Sequence, residues 1–344
     1  MDNSVVISTP PHVKSRRTTK GIMLDVIIAL APAAIMAVVY FRLDAFVIML
    51  TSVLSAVATE FVYFFIANKG FSDKCKHAGE VCGKWWKQFD YTSVVTGLIL
   101  ALICPPTVKW YEIMIGAIFA IAIVKMVFGG TGKNLVNPAA AGRVFLFISF
   151  SLTVYTASHI GAIGADSEVF TGATHLSGYL LGSGAGKMSW LDLLLGTGVA
   201  GCIGETCKIA LIVGYIYLCV RKVIKWWQPL LYIVLSAFLS VCLAAISDKS
   251  FDISLFLDFA LSGGLMFGAI FMATDYVTSP KGVYGQTVYF VALAVLTSVL
   301  RHFTHYEVVS YVIMLLNLLV PLIDTYIVRK PFGYKRIKKQ KEGK

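Results

Sequence analysis

Charge is what this chain has least of. Asp, Glu, Lys and Arg make up only 14% of its 344 residues, against 57% hydrophobic residues and a mean hydropathy of +0.76. That balance excludes an ordinary soluble domain. None of the seven cysteines forms a Cys-x-x-Cys pair. Their odd number and wide spacing exclude a disulfide framework and a self-contained zinc or iron–sulfur site, leaving most of them as small core residues. No Gly-x-Gly-x-x-Gly turn follows a strand pattern, and Lys133 is followed by Asn134 where a Walker A motif needs Ser or Thr. Dinucleotide binding and nucleotide hydrolysis are therefore not expected. Acidic residues are outnumbered 19 to 30, giving a net charge of +11. The basic residues cluster at the termini and in alternate loops, which is a topology signal and not a nucleic-acid footprint.

What is present is a series of apolar runs near twenty residues, the length a helix needs to cross about 30 Å of hydrocarbon. They predict an all-α polytopic protein with about ten transmembrane helices, some broken, solvated by membrane lipid. A polar arm, 1–20, precedes a transmembrane domain at 21–328 and a basic tail at 329–344. The first apolar run starts after the polar arm and is long enough to stay in the membrane, so no cleaved signal is expected. The spans fall near 21–41, 44–66, 91–104, 110–128, 139–157, 190–220, 229–246, 253–273, 284–301 and 306–328. A lysine-rich loop is expected at 67–90. The third span stops at Cys104-Pro105-Pro106, since paired prolines cannot continue a helix. The sixth contains Gly196, Gly198, Gly201 and Gly204, which predict a break. With the N-terminus inside, the inner segments collect 24 of the 30 Lys and Arg residues. The outer ones hold only Arg42, Lys109, Lys187, Lys249 and Arg301, with Lys208 inside the sixth span. Both termini are thus expected in the cytoplasm and the polar segment 158–189 outside.

That outer segment holds Glu168-Val169-Phe170-Thr171-Gly172-Ala173-Thr174-His175. Taken alone it reads as an ordinary surface turn. It is also an open, hydroxyl-bearing loop on which an enzyme can place a group. Gly129-Gly130-Thr131-Gly132-Lys133-Asn134-Leu135-Val136-Asn137-Pro138 is a second polar stretch, extending to Arg143. It reads either as a tight connection or as backbone N–H groups and Asn134 and Asn137 amides lining a cofactor or capping a half-helix. Thr274-Asp275-Tyr276-Val277-Thr278-Ser279-Pro280 is similar in style. Ionisable residues at membrane depth are candidates for an ion path: Glu60, Lys125, Asp192, Glu205 and Asp258, beside Lys208. The bland reading of each is a structural pair. Asp25 and Asp324 lie near span ends, where they snorkel or cap. His159 and His175 flank the outer loop.

Four segments appear together in order: Thr18–Val26, Gly129–Arg143, Thr171–Thr174, and Phe271–Asp275 followed by Thr278-Ser279-Pro280. Over almost the whole chain they resemble the family of Rnf electron-transport D subunits and sodium-pumping NADH:quinone reductase B subunits. The resemblance implies a duplicated membrane core and covalent FMN on the last Thr of a Ser/Thr-Gly-Ala-Thr motif, here Thr174. Thr171, Gly172 and Ala173 would serve recognition. An exported flavin transferase using FAD and magnesium would attach the group, the Thr hydroxyl attacking a metal-polarised phosphorus. Glu168 stands where the family often has Asp, and His175 is placed to contact the phosphate. Tyr276 stands where the family usually has Pro. Asn134, Asn137, Arg143 and Asp275 are candidate cofactor contacts, and a second flavin, riboflavin, is implied in the core. The implied function is a subunit of a redox-driven ferredoxin:NAD oxidoreductase that moves sodium or protons in the bacterial cytoplasmic membrane. Its partners would be the other Rnf subunits, including an outer-face FMN-bearing G subunit and membrane A and E subunits. No catalytic residue, metal ligand or nucleic-acid contact is expected. The competing class is a secondary transporter or channel without a redox cofactor, which broken spans suit equally well.

Overall fold

The computed structural model describes residues 17–68, 75–150, 157–159, 170–172, 190–196, 201–248, 255–304 and 307–327. Helix α1 runs Thr19–Ala67, and the Thr18 hydroxyl accepts from Gly21 N at 3.2 Å to cap it. Arg42 interrupts it with φ 51 and ψ −130. Helix α2, Cys75–Gln88, shows what that interruption does. Lys20 Nζ donates to Lys87 O at 2.9 Å, while the rings of Phe61 and Trp85 lie 5.1 Å apart. A straight helix would hold residues 20 and 61 about 60 Å apart. Since both touch α2, α1 folds back at Arg42 into two arms, matching the expected spans 21–41 and 44–66.

Helix α3 is Thr92–Ile103, and α4, Trp110–Ile118, continues as a π-helical stretch, Phe119–Met126. Helix α5 is Pro138–Ser149. Strands β1, Ala157–His159, and β2, Phe170–Gly172, pair antiparallel with Ser158 opposite Thr171. Helix α6, Trp190–Leu195, is separated from α7, Lys208–Val220, by the expected break, with Gly196 at φ +82. Helix α8 is Trp227–Asp248. Helix α9, Leu255–Leu261, meets α10, Leu265–Phe267, and its π-helical extension Gly268–Met272 at a 60° bend. Helices α11, Val283–Thr304, and α12, Val309–Tyr326, complete the described chain.

Packing follows membrane rules. Small residues let backbones approach: a Cβ on Gly97 would fall 2.9 Å from Ser52 O, and one on Gly214 would fall 2.3 Å from Ala29 O. The apolar surface faces outward, as at Ile35, Leu43, Leu54 and Ile148, which are 59–76% exposed. A water-soluble protein would bury side chains of this kind; lipid does not oppose their exposure. Among the described residues, four helices are long and apolar enough to cross a membrane, or five counting the bent α9–α10 pair. Helices α3, α5 and α7 are apolar but shorter.

Two expectations need correction. The segment 67–90, read as a loop, contains α2, whose apolar Val81 and Trp85 fall one turn apart and pack inward. The span expected at 139–157 stops at Ser149, and residues 157–159 are extended. Its C-terminal half is rich in Ser, Thr and Tyr, so hydrophobicity alone overestimated its length.

Candidate functional site

Helices α3, α5, α7 and the π-helical stretch after α10 each present one end to a cleft. Its walls include Val26, Val95, Ile99, Leu218, Ile270 and Phe271, and its polar edge is formed by the two loops that sequence patterns single out. The cleft holds about 790 Å³ of empty space, open mouth included. Both loops therefore meet at the end of the bundle where α1 begins, since Met23 also lines the cleft.

Asn137 ties these loops together. Its Oδ1 accepts from Ala139 N at 3.0 Å and Ala140 N at 3.3 Å, capping α5, with Pro138 at the first helical position. Its Nδ2 donates to Met272 O at 3.3 Å. Asn317, with its amide oriented to satisfy its neighbours, accepts from Asn137 N at 3.0 Å and donates to Thr278 O at 3.2 Å. Asn134 differs. It lines the cleft with its Oδ1 buried and without a hydrogen-bond partner among the described residues. A buried acceptor left unmade costs about 1–3 kcal/mol, so this atom points to a missing donor.

Asp275 also lines the cleft, accepting from Thr278 Oγ1 at 3.1 Å and Val277 N at 3.4 Å. Burial pushes its carboxyl above the usual range, partly offset by those hydrogen bonds. Tyr276 reaches back to donate to Val223 O, which fixes the turn that a proline would otherwise stiffen.

Lys125 closes the cleft on the α3 side. It is 1% exposed, and its Nζ donates to Thr92 Oγ1 at 2.5 Å, Ser93 Oγ at 3.0 Å and Glu60 Oε1 at 3.2 Å. Ser93 Oγ donates to the other Glu60 oxygen. Thr92 Oγ1 in turn donates to Asp90 Oδ1 at 2.6 Å. Burial alone would raise the Asp90 carboxyl; bonds from Thr92 and Thr131 and the Lys125 charge outweigh it and hold it below its ordinary value. Glu60 and Lys125, two separate ion-path candidates in the sequence, are thus one buried pair.

Arg143 stands apart from Asn134 and Asn137. It projects from farther along α5 into a second polar cluster, where Nη1 lies 3.5 Å from Glu205 Oε1 and 3.4 Å from Ser310 Oγ. Its Nη2 lies 3.5 Å from Cys202 Sγ. Lys208 joins this cluster, as do Arg301 and Glu307, paired through Arg301 Nη2 at 2.9 Å to both carboxylate oxygens. Arg301, counted among the outer charges in the sequence, is 2% exposed and held by Glu307. Glu307 and Cys202 carried no motif signal.

The remaining candidates do not gather at either place. Asp25 pairs with Arg221 Nε at 3.1 Å and accepts from Tyr217 OH at 3.0 Å. Asp324 accepts from Lys281 N at 3.2 Å. Asp192 is half-buried in the first turn of α6, and Asp258 half-buried in α9. His159 lies on β1, and Thr171 and Gly172 on β2. Glu168, Ala173, Thr174 and His175 lie outside the described residues.

The sequence that builds these two loops and four half-length helices is shared with other proteins. Residues 6–333 match the model of the NQR2, RnfD, RnfE family. The chain belongs to that family. It is 34% identical over 339 residues to the D subunit of the Na(+)-translocating ferredoxin:NAD(+) oxidoreductase complex of Acetobacterium woodii, covering 98% of each chain. It is 34% identical over 341 residues to the D subunit of the proton-translocating ferredoxin:NAD(+) oxidoreductase complex of Clostridium ljungdahlii, covering 97% of this chain and 98% of the relative. The D subunit of an ion-translocating oxidoreductase complex of Alcanivorax borkumensis is 30% identical over 351 residues, with 96% and 98% covered.

Proposed function

We propose that this family member is the D-type membrane subunit of an ion-translocating ferredoxin:NAD oxidoreductase complex, relaying electrons in a translocase coupled to sodium or proton movement. The observation that carries the reading is the near-complete alignment with relatives bearing that name. Ten spans with both termini in the cytoplasm, and segment 158–189 outside, fit the hairpin of α1 and the charge asymmetry. The membrane is the bacterial cytoplasmic membrane. The partners are the other subunits of the complex, a G subunit with FMN on the outer face and membrane A and E subunits among them, and an exported flavin transferase.

Thr174 is the attachment point for covalent FMN. Two residues before it in sequence, Gly172 ends β2, which pairs with β1. Thr171, Gly172 and Ala173 present little bulk to the transferase, and Glu168 and His175 flank them. Bound there, the flavin supplies one-electron steps at the outer face while the covalent link prevents its loss. The inner cleft is the candidate place for a second, unlinked flavin. Its apolar walls would face a planar ring, and the unpartnered Asn134 Oδ1 would accept from a ring-edge N–H. Asp275, held toward its protonated form by burial, lines the same cleft. Arg143 belongs to the charge cluster and not to this cleft.

A transporter without redox chemistry is favoured by one feature, the buried charges at two helix breaks. Ultraviolet illumination of a denaturing gel separates the two readings. Chain purified from cells that contain the transferase should fluoresce near 37.6 kDa. A dark band from those cells would favour the transporter.

A further inference from the structure

The break between α6 and α7 and the break between α9 and α10 meet at Lys208. This residue opens α7 and is only 3% exposed. Its Nζ donates to two main-chain carbonyls, Glu205 O at 2.5 Å and Gly263 O at 3.0 Å. Gly263 sits in the second break at φ +63, and a Cβ there would collide with Glu307 Oε2. Its neighbour Gly264 abuts the Glu205 carboxylate, where a Cβ would fall 2.3 Å from Oε1. That oxygen has no hydrogen-bond partner among the described residues.

Charge pairing does not explain the lysine. Glu205 already faces Arg143, and Glu307 already holds Arg301. Lys208 is a third cation beside two carboxylates, placed at a helix N-terminus, where the dipole disfavours positive charge. What satisfies it is the pair of carbonyls freed by the breaks, within the field of two carboxylates. Unwound carbonyls at interrupted membrane helices are the donors that elsewhere coordinate alkali cations.

We propose that the two breaks form a monovalent-cation site whose cation is built into the chain, the Lys208 ammonium standing where a sodium or potassium ion would bind. No electron or group transfer is involved, and the inference does not depend on either flavin. It implies that a free alkali ion gains access to this point only when the lysine side chain is removed or withdrawn.

The test uses the full chain in detergent, unfolded by heat at constant ionic strength in lithium, sodium, potassium or choline chloride. The wild-type midpoint should be the same in all four. Lys208→Ala leaves the carbonyls without a cation, so its midpoint should fall in choline and rise saturably, by about 3 °C or more, in at least one alkali salt. Lys208→Met fills the space without charge and should not respond, which separates site filling from a general salt effect. An alanine variant that responds equally to alkali and choline salts would overturn the proposal. So would failure of that variant to fold in every salt, or a methionine variant that responds as the alanine one does.

Discussion

Removing the Glu60 carboxylate tests whether the pair at the cleft wall is structural in the strong sense. Lys125 is 1% exposed, and two of its three acceptors are neutral hydroxyls. Glu60→Ala leaves a buried ammonium hydrogen-bonded only to the Thr92 and Ser93 hydroxyls, with the Asp90 carboxylate beyond Thr92, and also takes the acceptor from the Ser93 hydroxyl. Breaking a buried pair by deleting one partner costs about 3–5 kcal/mol, whereas a solvated pair is worth about 0–1 kcal/mol. Burial here selects the larger figure. Lys125→Met should cost less, because the Glu60 side chain is 11% exposed and lines a neighbouring cavity that can admit water.

Combining the two changes removes both charges, so the double variant should be more stable than the sum of the single losses by about 1–3 kcal/mol. The measurement is reversible unfolding of the full chain in mixed micelles, followed by tryptophan fluorescence, for all four corners of the cycle. A Glu60→Ala loss below about 1 kcal/mol, or strict additivity, would refute the reasoning and return Glu60 to the class of solvated acids.

Thr174→Ala should abolish covalent FMN without disturbing insertion, and Thr171→Ala should lower its yield; mass spectrometry of the loop peptide checks both, and FMN found on Thr171 would reverse the assignment. Asp275→Asn tests the direction of its titration. A carboxyl raised in the folded state contributes stability below its unfolded pKa of about 3.9, and that contribution is lost as pH rises through the higher folded value. The stability difference between wild type and Asp275→Asn should accordingly fall with rising pH in that window; a difference independent of pH would show that burial does not perturb the group. For orientation, a cysteine at Ser183 should react with an impermeant thiol reagent on intact cells, in a background cleared of exposed native thiols. One at Ser72 should react only after the cells are opened, and the opposite pattern would place Thr174 in the cytoplasm.

The parts of the fold legible in the sequence are those set by local composition. Hydropathy located both arms of α1 even though no Pro or Gly marks Arg42, because the polar Arg42 and Asp44 interrupt an otherwise apolar run. Glycine spacing marked the α6–α7 break, and Asn137-Pro138 marked the start of α5. What escaped depends on distant contacts. The π-helical stretches at Phe119–Met126 and Gly268–Met272 have no composition of their own. Helix α2 was hidden by its lysines, whose count dominated over the Val81–Trp85 spacing. The Arg143–Glu205 and Arg301–Glu307 pairs join residues that no linear motif links, except that Arg301 and Glu307 are six apart in sequence. Asn134 and Asn137 look alike in sequence, and only the caps and orphaned atoms separate a structural amide from an unsatisfied one.

Helix length explains why the two polar sites coexist. Thr92 of α3 lines the cleft, while Leu102 O and Cys104 O at its far end accept from Gly204 N and Ile203 N beside the charge cluster. Helix α7 runs the other way, from Lys208 in the cluster to Leu218 in the cleft. Helix α5 leads from Asn137 to Arg143, and α10 with its π extension from Gly264 to Phe271. At 1.5 Å per residue these segments set the sites roughly 10–18 Å apart along the helix axes. A full-length helix would carry both ends to the membrane surfaces, into water. Half-length helices instead deliver their termini inside the protein, where unpaired carbonyls and N–H groups must find partners. The Asn137 cap satisfies one such end, and the Lys208 ammonium takes up carbonyls in the two breaks. Each site is therefore a consequence of stopping a helix short, and substitutions that lengthen α5 or α7 by a turn should disrupt both sites together.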